Sequence, residues 1–205
     1  MDWLRRNWYR VAAHGTGLVL LALLSFYYLS DVLVNPTRYV ILRSGTLGLI
    51  FLVASLACTP VRKIIGWPGI IRIRRALGLY SFVFIAIHLW GYAVLENSLF
   101  FDLIWRDLGE RSAMPIGIAA FVLLIPLAVT STPGWQRRLG KRWRSLHRLI
   151  YLAAILSVWH YLWLDRDFKT TPLIYAAIVG VLLVVRLPLA RWAHRYSTII
   201  IGGEK

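Results

Sequence analysis

The chain has 205 residues, 59% of them apolar, with ten Trp, a mean hydropathy of +0.63 and a formal net charge of +15. That apolar content excludes a soluble globular domain of this length and points to an integral membrane protein. The charge does not indicate a nucleic-acid partner, because the basic residues flank apolar runs instead of forming one basic face.

Six segments are long enough to cross a bilayer at roughly 20 residues each: Val11–Ser30, Thr46–Val61, Leu77–Leu95, Pro115–Ser131, Leu146–Leu164 and Pro172–Leu189. The first follows Arg5, Arg6 and Arg10 but is longer than a signal-peptide core and lacks a small-residue cleavage site. It is therefore read as a retained helix. Pro36, Pro60, Pro68, Pro115, Pro133 and Pro172 mark boundaries, and Pro126 is expected to kink the fourth span. The N-terminal segment, residues 62–75, residues 133–148 and the tail after 185 hold three, five, six and four Lys/Arg, 18 of the 24. Seven of the nine acidic residues lie on the other side. The positive-inside bias then predicts an all-α, six-helix transmembrane bundle with both termini cytoplasmic, forming a single domain over residues 1–205.

No internal repeat is legible, and neither GxGxxG nor a Walker A loop occurs, so electrons from NAD(P)H would have to arrive through another protein. Cys58 is alone, and CxxC is absent. This argues against cysteine-held iron–sulfur clusters and covalently attached heme; Cys58 itself reads as a small buried hydrophobe.

Three histidines lie within apolar spans: His88, His147 and His160. Ionisable groups at membrane depth are costly and face the bundle interior, so they mark functional candidates. His88 is 13 residues beyond Arg75, and His160 is 12 beyond Arg148, which places both roughly 18–20 Å from the inner edge. Two imidazoles at matched depth on parallel helices could grip one heme iron from opposite faces, giving a low-spin b-type centre suited to electron transfer. The plainer alternative is two separate polar residues hydrogen-bonded to neighbouring helices. His147 lies about 20 Å nearer the cytoplasm, and its counterpart on the third span is Arg74, beside Arg75, not histidine. Arginine is a poor iron ligand. The inner site is thus incomplete and open to a heme with an unusual ligand, a flavin, a quinone, or nothing.

His14 reads as interfacial, with cofactor contact the sharper alternative, and His194 as exposed. Trp8, Tyr9, Trp67, Trp90, Trp105, Trp159, Trp163 and Trp192 stand at span ends as a membrane-interface belt. The basic stretch Pro133–Arg148 is read as inside-positive anchoring on lipid phosphates, with a role at a propionate, a flavin phosphate or an acidic donor compatible with it. Glu96, Asp102, Asp107 and Glu110 lie in an outer loop that is either solvated connection or a docking face for an electron acceptor.

The stretches SGTLGLIFLVASLACTPVRK, IRIRRALGLYSFVFIAIHLWGYAVLE, LAVTSTPGWQRRLGKRWRSLHRLIYLAAILSVWHYLW and PLIYA resemble the MsrQ family of the ferric-reductase-like transmembrane superfamily. The resemblance covers most of Ser44–Ala176. It implies heme b held by His88 and His160, with His147, Arg74 and Arg75 around the inner site, and an association with flavin mononucleotide (FMN). It further implies electrons taken from the quinone pool or a flavin reductase and passed to a periplasmic molybdopterin enzyme, MsrP, that reduces methionine sulfoxide. The chain would then be a multi-pass protein of the bacterial inner membrane, an electron-transfer subunit and not the catalytic one. The competing expectations are a self-sufficient ferric or oxygen reductase of the same fold and a heme-free transporter or lipid-binding protein.

Overall fold

The computed structural model describes residues 2–164 and 170–186, with side chains from Asn7 onward. The readings of Trp192 and His194 and the last three residues of the expected span Pro172–Leu189 lie outside the described residues. The described residues are all helical or connecting turns: α1 Asp2–Leu29, α2 Pro36–Ile65, α3 Gly69–Trp90, a π-helical stretch Gly91–Glu96, α4 Phe101–Glu110, α5 Ala113–Val129, α6 Pro133–Leu139, α7 Lys141–Leu146, α8 Leu149–Leu164 and α9 Thr170–Val184.

Three helices are long and apolar enough to cross a membrane, namely Asn7–Leu29, Pro36–Ile65 and Gly69–Glu96. A fourth candidate is α4 with α5, bent by 108° at their junction. Helices α5, α8 and α9 have 17, 16 and 15 residues, about 22–26 Å at 1.5 Å per residue and short of a ~30 Å hydrocarbon core. Among the described residues three helices, or four with the bent pair, are long and apolar enough to span, so the expected six are not clearly present, and the later apolar helices are shorter than the spacing of apolar residues suggests. Part of the difference lies in the basic stretch, where Thr132 and Pro133 start α6 and two short helices take up Pro133–Leu146.

Two boundaries move. Helix α2 begins ten residues before the expected Thr46, because Asn35 caps it by accepting from the Arg38 amide and Pro36 opens its first turn. Arg38 and Arg43 interrupt the apolar pattern there and hide the start. Pro60, expected to end the segment, sits inside α2, which stops instead at Gly66 (φ 76°), whose amide closes on the Arg62 carbonyl. The expected outer loop contains α4, an amphipathic helix with Phe101 and Trp105 exposed and Asp107 buried.

Contacts fix the helix directions. Tyr9 meets Arg72 and His14 meets Tyr80, so α1 runs parallel to α3. Ser55 meets Arg74, Ser81 meets Gly48 and His88 meets Ile41, so α2 is antiparallel to α3. His160 meets Ala113 while His147 meets Thr130, so α5 is antiparallel to α8. Arg186, just past α9, meets Leu56 and Tyr151. One end of the bundle thus carries Tyr9, Thr59, Arg72, Arg74, His147 and Arg186. The opposite end carries Ile41, His88, Ala113 and His160.

Helix α2 is the hub. Leu49, Leu52 and Leu56 pack with Leu124 of α5, Ala153, Ala154 and Val158 of α8, and Val179 of α9. Phe51 of α2 packs with Leu24 of α1 and Phe84 of α3. In lipid the drive for such packing is close approach and interhelical hydrogen bonding, not apolar burial alone. Gly48 provides the approach: a Cβ there would lie 2.5 Å from Ile85 Cγ1 and 3.3 Å from the Ile85 amide nitrogen. Ser81 Oγ donates across the same crossing to the Gly48 carbonyl at 2.8 Å. Gly48→Leu is expected to destabilise the fold by about 1–3 kcal/mol through overpacking. A thermal melt in detergent reads it, and a melt equal to that of the unaltered protein would refute this packing.

Candidate functional site

His88 comes from the C-terminal third of α3 and His160 from the C-terminal third of α8. The parallel course of these helices brings the two rings together, with centroids 6.2 Å apart and an interplanar angle of 79°. Both rings are anchored alike. His88 Nδ1 lies 2.7 Å from the Ile41 carbonyl oxygen, and His160 Nδ1 lies 2.7 Å from the Ala113 carbonyl oxygen. A carbonyl only accepts, so each Nδ1 carries the proton and donates. Each Nε2 keeps its lone pair, the state in which imidazole binds a metal.

The separation can be tested against a metal held between the rings. Two metal–nitrogen bonds of about 2 Å each, with roughly 1.1 Å from nitrogen to ring centre on either side, require centroids about 6.2 Å apart. The observed distance meets that requirement. Among the described residues no three His, Cys, Asp or Glu side chains converge on one point. A centre here would therefore have two protein ligands, and its remaining positions would come from a ligand that brings its own donors, as a porphyrin does.

The opposite end, which the positive-inside bias predicts to be the inner one, is built differently. His147, half-buried at the end of α7, stacks on Trp143 with centroids 4.0 Å apart. Thr130 Oγ1 donates to the Pro126 carbonyl at 2.6 Å, so it accepts from His147 Nε2 at 3.1 Å. Trp143 Nε1 donates to the Thr130 carbonyl. His147 Nε2 is thereby committed to a hydroxyl. Arg74 is half-buried on α3, close enough to His147 and to Arg186 to act on both electrostatically. Arg75 is exposed. The structure thus unites Arg74 with His147 and leaves Arg75 on the outside.

One residue at this end escapes sequence reasoning. Arg186 donates to the Tyr151 hydroxyl at 3.1 Å and to the Leu56 carbonyl, while its Nε is buried without a hydrogen-bond partner. The ion pairs found among the described residues are Arg106–Glu110 and Arg111–Asp107, both at α4. Arg74 and Arg186 therefore form a cationic pair with no carboxylate partner among the described residues. No local pattern announces it, since Arg186 is 35 and 130 residues from its partners.

His14 pairs with Tyr80 at 3.2 Å, away from both clusters. Cys58 is buried and donates to the Ala54 carbonyl within its own helix, as a small core residue would. Asp107 accepts from Tyr92 at 2.7 Å and pairs with Arg111, so of the four outer acids it alone is turned inward.

Residues 44–158 match the family model described as ferric reductase like transmembrane component. The chain is 47% identical to the "Protein-methionine-sulfoxide reductase heme-binding subunit MsrQ" of Rhodospirillum rubrum over 158 residues, 77% of this chain and 76% of that one. The chain belongs to the MsrQ family of ferric-reductase-like transmembrane proteins. Other MsrQ proteins bearing the same description are similar over more of the chain. That of Herminiimonas arsenicoxydans is 40% identical, covering 88% of this chain and 84% of its own. That of Xanthomonas euvesicatoria pv. vesicatoria is 39% identical, covering 85% and 83%. No solved structure matches the chain. The family match spans His88 and His147 and stops two residues short of His160, which lies within the described part of α8.

Proposed function

We propose that this chain is a membrane cytochrome b that carries electrons outward, from the quinone pool or a flavin donor to a periplasmic molybdopterin methionine sulfoxide reductase, MsrP. In this reading it is a six-span protein of the bacterial inner membrane with both termini in the cytoplasm. The 18 inner-side Lys/Arg and the alternating helix directions support that placement. The observation that carries the proposal is the outer pair: two Nδ1-anchored imidazoles 6.2 Å apart at matched depth. The printed names of the relatives, which describe heme-binding subunits, agree with it.

His88 and His160 would hold the iron of one heme b from either side. Heme supplies reversible one-electron chemistry between ferric and ferrous iron. The residues' share is to place the ligands, fix their tautomer and keep the centre in apolar surroundings. Phe84, Leu52 and Ser81, each fully buried, pack α2 and α3 behind His88. Electrons would arrive at the opposite end, at Arg74, His147, Arg186 and Tyr151. Because His147 Nε2 is already committed to Thr130, this end favours a flavin or quinone over a second heme. The uncompensated guanidinium pair suits an FMN phosphate. Arg75 and the exposed arginines and lysines of α6 and α7 would face lipid phosphates. Exposed Glu96, Asp102 and Glu110 would meet the acceptor on the outer side.

His88→Ala and His160→Ala are each expected to abolish the low-spin Soret and α bands of the purified protein. His14→Ala, His147→Ala and His194→Ala should leave them in place. Normal low-spin heme in His88→Ala would defeat the ligand assignment.

A hemochrome and flavin assay per mole of protein, repeated on Arg186→Gln, tests the inner end. The expected result is one heme in both proteins, with flavin content or quinol-driven heme reduction lowered about tenfold or more in the variant. Unchanged flavin content and unchanged reduction would remove Arg186 from the inner site.

A further inference from the structure

The two histidines share more than a distance. The carbonyl that anchors each lies 47 residues before it: Ile41 for His88 and Ala113 for His160. Four residues beyond each carbonyl stands a glycine, Gly45 on α2 and Gly117 on α5, and each lies flat against the histidine ring. A Cβ at Gly45 would fall 2.8 Å from His88 Nδ1, and one at Gly117 would fall 2.7 Å from His160 Nδ1. Carbonyl, glycine and histidine are thus repeated at one offset of 72 residues. Buried small residues keep the same offset: Gly48 with Ala120, and Ser81 with Ala153. No repeat is legible in the sequence, yet α2–α3 and α5–α8 build the same half-site twice.

The need for glycine follows from helix geometry. In an α-helix the carbonyl of residue i accepts from the amide of residue i+4. The Cβ of a helical residue tilts toward the N-terminus of its helix, so the side chain at i+4 stands beside that carbonyl and screens it. A neighbouring imidazole ring, bulkier than a hydroxyl, comes up against such a carbonyl most easily where position i+4 has no side chain. Gly45 uncovers the Ile41 carbonyl, and Gly117 uncovers that of Ala113. Even an alanine methyl would push the imidazole off its anchor, since real Cβ contacts under 3.0 Å are not sustained.

We infer that Gly45 and Gly117 are paired positioning residues: by exposing the Ile41 and Ala113 carbonyls they fix the tautomer of His88 and His160, raise the basicity of both as metal ligands, and set the potential of the centre between them. The inference rests on the heme reading above and extends it to residues that touch no cofactor atom. A hydrogen bond from Nδ1 makes imidazole a stronger donor and favours the more highly charged ferric state. Loss of that bond shifts the midpoint potential upward. The half-sites differ in that Ser44 Oγ also reaches the Ile41 carbonyl at 3.2 Å, so the two losses should share one sign and be roughly additive in the double variant.

The test is a potentiometric titration of the purified full-length protein, of Gly45→Ala and Gly117→Ala, and of Gly15→Ala, where a Cβ meets nothing within 4 Å. The expected result is a positive shift of the midpoint in both histidine-facing variants, with low-spin heme retained and Gly15→Ala unchanged. Redox-induced infrared difference spectra of the unaltered protein, with 15N-labelled histidine, need no variant to fold. They should show both ligand imidazoles donating a strong bond from Nδ1. Unshifted midpoints at full heme content, or weakly bonded Nδ1–H groups, overturn the inference while leaving the heme reading intact. Absence of heme from the unaltered protein overturns both.

Discussion

Everything at the outer end depends on two hydrogen bonds, from His88 Nδ1 to the Ile41 carbonyl and from His160 Nδ1 to the Ala113 carbonyl. An imidazole inside an apolar bundle must satisfy its N–H, and here a backbone oxygen of a neighbouring helix does so. The bond also decides which nitrogen remains basic and where it points. Two such anchors on helices of common direction hold the ring centroids 6.2 Å apart, a separation that suits a single metal ion between them. The packing of α2 against α3 and of α5 against α8 serves this arrangement, since a small shift at either crossing would break an anchor.

The two ends divide the chemistry. The histidine end is held by backbone carbonyls and brings only two side-chain ligands, which favours a group with its own donors. At the inner end two arginines stand close together with no carboxylate partner among the described residues, which favours an anion. Fourteen helical residues separate Arg74 from His88, about 21 Å along the axis. One planar cofactor does not bridge that distance, so the ends are separate sites joined by the apolar interior.

The depth of the histidines was legible in the residues because a helix converts spacing into height at a fixed rise. His88 and His160 meet as that arithmetic predicts, and Arg74 lies close enough to His147 to act on it electrostatically. Other features were hidden for physical reasons. The start of α2 is masked by Arg38 and Arg43, which break the apolar pattern while Asn35 and Pro36 set the cap. Helix α4 reads as a charged loop, although its alternating faces suit a short helix turned 108° from α5. The roles of Gly45, Gly117 and Arg186 appear only when distant helices are brought together. The glycines have no side chain to advertise, and Arg186 reaches across 130 residues to the Leu56 carbonyl.

The central claim is that two neutral imidazoles, set nearly perpendicular at 79°, grip one iron. Low-temperature electron paramagnetic resonance of the purified ferric protein tests it most directly. The account predicts one low-spin heme with the strongly anisotropic signal of crossed axial imidazoles, lost together with the second ligand in either histidine variant. A high-spin signal at full occupancy, or no heme iron at all, would contradict it.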